Sequence, residues 1–215
     1  MLRRLARGAP RLRRDRRGSA IVEFALILPF LLAIWAGMTE LAHAIDEWRK
    51  LTLLARTVAD LTAQGDTQNP INTTVMNDIV SSATLVMRPF DTSRVKIVVS
   101  AMGVGLKGAT VIPTVCSSVA NGNALPRSAG AANDLLVPAG YQTVGMRYIL
   151  AEVNITYAPM IGSALVKLAK GVGNTITFSS SVPWPTRGGK TYGNNTYTEV
   201  VVPMSGATAC DGSAP

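Results

Sequence analysis

The sequence predicts an α+β protein: a long N-terminal membrane-spanning helix that continues into a soluble domain with a second helix and a small, mainly antiparallel sheet. Three observations carry that prediction. Residues 19–45 form a stretch long and apolar enough to cross a bilayer. An apolar stripe at spacings of three and four continues from there to about residue 64. Runs rich in β-branched residues, separated by turn residues, then fill much of the second half.

The first element is a basic leader, residues 1–18. The formal charge of the chain is +8, a value that suggests nucleic acid until it is located. Arg3, Arg4, Arg7, Arg11, Arg13, Arg14, Arg16 and Arg17 against Asp15 place +7 of it in residues 1–18, leaving +1 for the rest. A basic nucleic-acid face on the folded part is therefore not expected. Gly8, Pro10 and dense like charge oppose a packed structure in the leader. Arginines beside an apolar segment predict a cytoplasmic N-terminus and an outward-facing, periplasmic C-terminal domain.

The second element is the apolar helix. Some 20 mostly apolar residues between Phe24 and Ala44 reach about 30 Å at about 1.5 Å per residue, the thickness of the hydrocarbon layer. Pro29 and Gly37 are tolerable there. Residues 46–64 extend the same helix, with Leu41, Ile45, Trp48, Leu51, Leu54 or Ala55, Val58 and Leu61 as one stripe and Gly65 as a stop. Glu23 stands out, because a carboxylate within a spanning helix costs about 2.5 to 3.5 kcal/mol at the bilayer centre and less toward its edge.

Residues 66–215 form the expected periplasmic domain. Ile71, Val75, Ile79, Ala83 and Val86 or Met87 are at helical spacing, and Pro89 ends that second helix. Strands are predicted over residues 95–101, 148–157 and 175–182, with a further one over 196–202. Residues 103–140 are dense in Gly, Pro, Ser and Asn and read as a long loop or insertion, in which Gly103-Val104-Gly105-Leu106-Lys107-Gly108 is a turn and not a phosphate loop.

Cys116 and Cys210 are the only cysteines, and both lie beyond the apolar segment. In an oxidising compartment they are a candidate disulfide closing about 95 residues, worth about 4 to 5 kcal/mol on the chain-entropy model; two buried thiols are the alternative. His43 is the only histidine and sits at the outer edge of the membrane segment, so a Ser-His-Asp or Cys-His site in the domain is not available. Multi-histidine metal sites fall by the same count. The sequence points to no enzyme, no cofactor and no small-molecule substrate.

The run RRGSAIVEFALILPFLLAIWAGMTEL resembles the N-terminal signature of the TadE-like family, pseudopilins of the tight-adherence (Tad or Flp) pilus machinery. That resemblance implies a leader ending in Gly18, cut by a prepilin peptidase so that Ser19 becomes the new N-terminus. It further implies that Glu23, fifth in the mature chain, registers the helix against a neighbouring subunit, with Phe24 the aromatic that often follows. A new amine at Ser19 lies four residues before Glu23, where the two charges can pair within or between chains. Ser181-Val182-Pro183-Trp184-Pro185-Thr186-Arg187 is similar to an aromatic, proline and arginine motif late in related proteins.

The expectation is a minor pilin or pseudopilin for surface adherence, with a prepilin peptidase, other pilins, the Tad secretion platform and inner-membrane lipid as partners. The competing reading is an uncleaved, signal-anchored periplasmic binding or envelope-structural protein. Ala42-His43-Ala44 fits an ordinary signal peptidase, but the apolar core before it exceeds the 7 to 15 residues, roughly, of a signal peptide.

Overall fold

The computed structural model describes residues 19–65, 69, 71–157, 159, 176–187, 190–191 and 198–199. They fall into two compact units, one containing residues 19–43 and the other beginning at residue 44. The leader and Gly18 lie outside the described residues.

One helix, α1, runs from Ser19 to Thr62 with Pro29 inside it. The sequence supports this length because apolar residues follow one another with few breakers; the threonine hydroxyls are satisfied by the helix's own carbonyls. Thr39 donates to the carbonyls of Trp35 and Ala36, and Thr52, Thr57 and Thr62 each donate four residues back. In the first unit α1 carries large apolar side chains on every side, interrupted by Glu23 near its start and Glu40 near its end. It is the one described helix long and apolar enough to cross a membrane.

The second unit is an α+β domain. Helix α2, Thr73–Ala83, starts where the Asn72 side chain accepts from the Val75 N–H and runs on through a 3-10 turn, Thr84–Met87. The sheet has the order β3-β2-β1-β4-β5 and is antiparallel throughout. Its strands are β1 (Lys96–Lys107), β2 (Thr110–Ala120), β3 (Gly130–Ala131), β4 (Arg147–Tyr157) and β5 (Ile176–Pro185). A separate antiparallel pair is formed by β6 (Lys190–Thr191) and β7 (Thr198–Glu199), of which β7 lies within the segment predicted as the last strand.

Alternation divides the sheet faces. Ile97, Val99 and Ala101 of β1 with Ile149, Ala151, Val153 and Ile155 of β4 form one core with Leu51, Leu54 and Val58 of α1 and Met76 of α2. On the other face Met102, Val104, Val115, Tyr148 and Leu150 form a smaller core, closed by Leu135, Val137 and Tyr141 from the connection before β4.

The reading of residues 103–140 as a loop is corrected. Half of that segment is strand: β1 continues to Lys107, a two-residue turn follows, and β2 begins at Thr110. Gly108 has φ +64° and Ala109 does not have positive φ, the backbone signature of a type II′ hairpin turn. Pro113 does not break β2. Val104, opposite it, gives its N–H to Met146 and accepts from Gly145, so Val104 and Pro113 face each other without a ladder hydrogen bond. Beyond β2, side chains prolong the ladder: Asn121 accepts from the Ile97 N–H and donates to the Val95 carbonyl, and Asn123 donates to the Ser93 carbonyl. The turn signal in Asn121-Gly122-Asn123 was legible; the pairing role of its amides was not.

Candidate functional site

The residues singled out by sequence lie at two places. Ser19 is the first residue of α1 and Glu23 stands one turn on. Glu23 is exposed, and so is Phe24 at 57 %. Phe30 (71 %) and Trp35 (64 %) continue the surface. Between Ala20 and Leu41 the helix thus presents large apolar side chains in all directions, with one carboxylate, Glu23, near the start of this stretch and a second, Glu40, at its end. Water is a poor solvent for such a surface, and lipid or the apolar helix of another subunit is a good one.

The other place is β2. Cys116 is buried at the single irregularity of the β1–β2 ladder: Ala101 pairs with Ser117 but Met102 pairs with Val115, leaving Cys116 as the extra residue of a β-bulge. No cysteine among the described residues is free. Cys210 lies outside the described residues, as do Tyr192 and Tyr197.

Three polar arrangements join segments that are distant in the sequence or set a charge in the core. First, Asp60 of α1 accepts from the Trp184 indole at 3.2 Å and from the Arg187 guanidinium at 2.6 Å, while the Arg187 N–H donates to the Ala63 carbonyl. The end of β5 is thereby fastened to the last turn of α1. The aromatic and arginine of Ser181–Arg187 stand out in the sequence, but their acceptor lies more than 120 residues earlier.

Second, Glu47 is only 4 % exposed, and burial pushes its carboxyl above the usual carboxylate range against the opposing pull of Arg94. Its position four residues before Leu51 and seven before Leu54 puts it on the buried stripe, a signal available to periodicity. Trp48, expected on that stripe, is instead half exposed.

Third, Arg127 makes a two-pronged contact with Glu152 of β4 and a third bond, 2.7 Å, with Asp134. The Glu152 contact, more than any other, raises the guanidinium's pKa, and the Arg127 hydrogen bond lowers that of Asp134. The Arg127 N–H also donates to Ser118, whose hydroxyl pairs with Ser100 at 2.9 Å. The cluster fastens the connection after β2 onto the second face of the sheet. Every member has a partner, so it reads as a clasp and not as a pair of free acids.

Among the described residues no three of His, Cys, Asp and Glu are grouped to hold a metal ion. A cavity of about 530 Å³ between the end of α1 and α2, lined by Leu61, Gln64, Ile71, Asn72 and Val75 among others, has no acid or base in its wall.

Comparison with known proteins gives one match: the family model described as TadE-like protein covers residues 18–60. No curated protein and no solved structure matches the chain.

Proposed function

We propose, on the premise that residues 18–60 are a TadE-like segment, that this protein is a minor pilin or pseudopilin acting in assembly of a tight-adherence pilus. The observation that carries the reading is the exposed apolar stretch of α1 with Glu23 one turn after Ser19. Cleavage after Gly18 by a prepilin peptidase leaves an amine at the head of that helix. The amine and the Glu23 carboxylate then neutralise each other, within a chain or between neighbours, and the pairing sets the axial register of the packed helices. The Tad secretion platform and other pilins are the partners this role requires, and the domain from residue 44 onward works on the periplasmic side. A bond between Cys116 and Cys210 belongs to the same proposal, since that compartment favours it.

The test is the mass of the membrane-extracted chain together with pilus assembly by a Glu23→Ala strain. A chain beginning at Ser19 and a variant that is cleaved but not incorporated are the expected results. Normal pili from the variant sink the registration role. A chain still beginning at Met1 supports the signal-anchored alternative, and one beginning after Ala44 a secreted domain.

A further inference from the structure

Where α1 enters the second unit, a turn of the helix and a loop of the domain share one height. Lys50 donates its ammonium to the Arg88 carbonyl and sits 5.1 Å over the Phe90 ring, and Arg94 is the cation nearest in effect to Glu47. Residues 47–50 of α1 and residues 88–94 are therefore level with one another. Arg49, Arg88 and Arg94 are exposed. The acids at this end are Asp46, which pairs with Lys50 at 3.6 Å, Glu47, which is buried, and Asp91, whose exposed carboxylate accepts from the Ser93 N–H and hydroxyl and is attracted to Arg94. Among the described residues neither Arg49 nor Arg88 stands in an ion pair.

The apolar run ends at Ile45, and at about 1.5 Å per residue residue 50 lies about 7 to 8 Å further on. The headgroup layer is about 5 to 7 Å deep on each side of the hydrocarbon. The arginines thus stand at the depth of lipid phosphates. Half-exposed Trp48 at the same height suits that layer, where indoles gather.

We propose that this end of the domain, through Arg49 and Arg88, binds the phosphates of anionic lipid headgroups around the emerging helix. The proposal rests on the membrane-spanning reading of α1. It gives the soluble domain a second hold on the bilayer, which fixes the 88–94 loop at the surface before the subunit leaves the membrane.

The test is hydrogen exchange of the full chain in nanodiscs of phosphatidylcholine alone and of phosphatidylcholine with phosphatidylglycerol. Residues 88–96 are expected to exchange more slowly in the anionic discs, and the difference falls by about fivefold for each arginine removed in the Arg49→Gln/Arg88→Gln variant. Arg56→Gln, two turns further from the membrane, leaves the difference intact. Equal exchange in both discs, with residues 24–44 protected, overturns the lipid site and leaves the anchor standing. An Arg56→Gln effect as large as that of the double variant overturns it too, because the attraction is then general charge. Free exchange of residues 24–44 in both discs overturns the anchor and the lipid site together.

Discussion

At the scale of residues, Arg127 and Tyr148 show how position decides what a side chain contributes. Arg127 satisfies Glu152 on a central strand, a carboxylate mostly withdrawn from water. Truncating it leaves that charge without its donors, and Arg127→Ala is expected to destabilise the domain by about 1 to 3 kcal/mol, read as a lower denaturant midpoint. Tyr148 is buried on the second face and packs against Tyr141 at 4.8 Å between ring centroids. Burial, with a smaller contribution from Tyr141, pushes its phenol up to about 12. Between pH 10 and 12 the unfolded phenol has lost its proton while the folded one keeps it, so stability is present below about 10 and declines as pH rises through this window. Tyr148→Phe should flatten that decline, as alkaline denaturation curves of the two proteins will show.

At the scale of elements, α1 is one helix with two kinds of surface. Over residues 20–45 its apolar side chains point outward on every side, and over residues 46–62 they gather on one stripe against the sheet. Leu54 is fully buried and its neighbour Leu53 is 52 % exposed. Leu54→Ala is expected to cost about 2 to 5 kcal/mol, and Leu53→Ala less than about 0.5 kcal/mol, in chemical unfolding followed by the domain's near-ultraviolet signal. The same contrast explains why the stripe was legible but its edges were not. Periodicity locates a face to within one residue in three or four, which is the distance by which Glu47 and Trp48 exchange roles. The β1–β2 hairpin was missed for a different reason: Gly103, Gly105 and Pro113 are turn residues by propensity, and only the ladder shows that each has a strand position where its peculiarity is harmless.

At the scale of the whole molecule, charge and apolar patterning speak to topology. The arginines of residues 1–18 predict that the N-terminus stays in the cytoplasm and that everything after α1 is exported. A reporter enzyme active only in the periplasm, fused after Pro215, should therefore be active, and one fused within residues 1–18 should not. The TadE-like match ends at Asp60, the residue that receives Trp184 and Arg187. The matched segment thus supplies both the apolar helix and the acceptor to which the end of β5 is fastened.

What the sequence by itself determined is whatever depends on neighbours in the chain. The apolar helix, its continuation, the second helix ended at Pro89, three of the strands and the oddity of Glu23 all follow from periodicity, propensity and local charge. Tertiary structure alone decided the partners across long separations: Asp60 with Arg187, Arg127 with Glu152, Lys50 with the Arg88 carbonyl, and the bulge that sets Cys116 apart. The physical reason is that helix and strand signals are written at intervals of two to four residues. An ion pair or a shifted register depends on which distant segments the closing core brings together, and no local pattern encodes that choice.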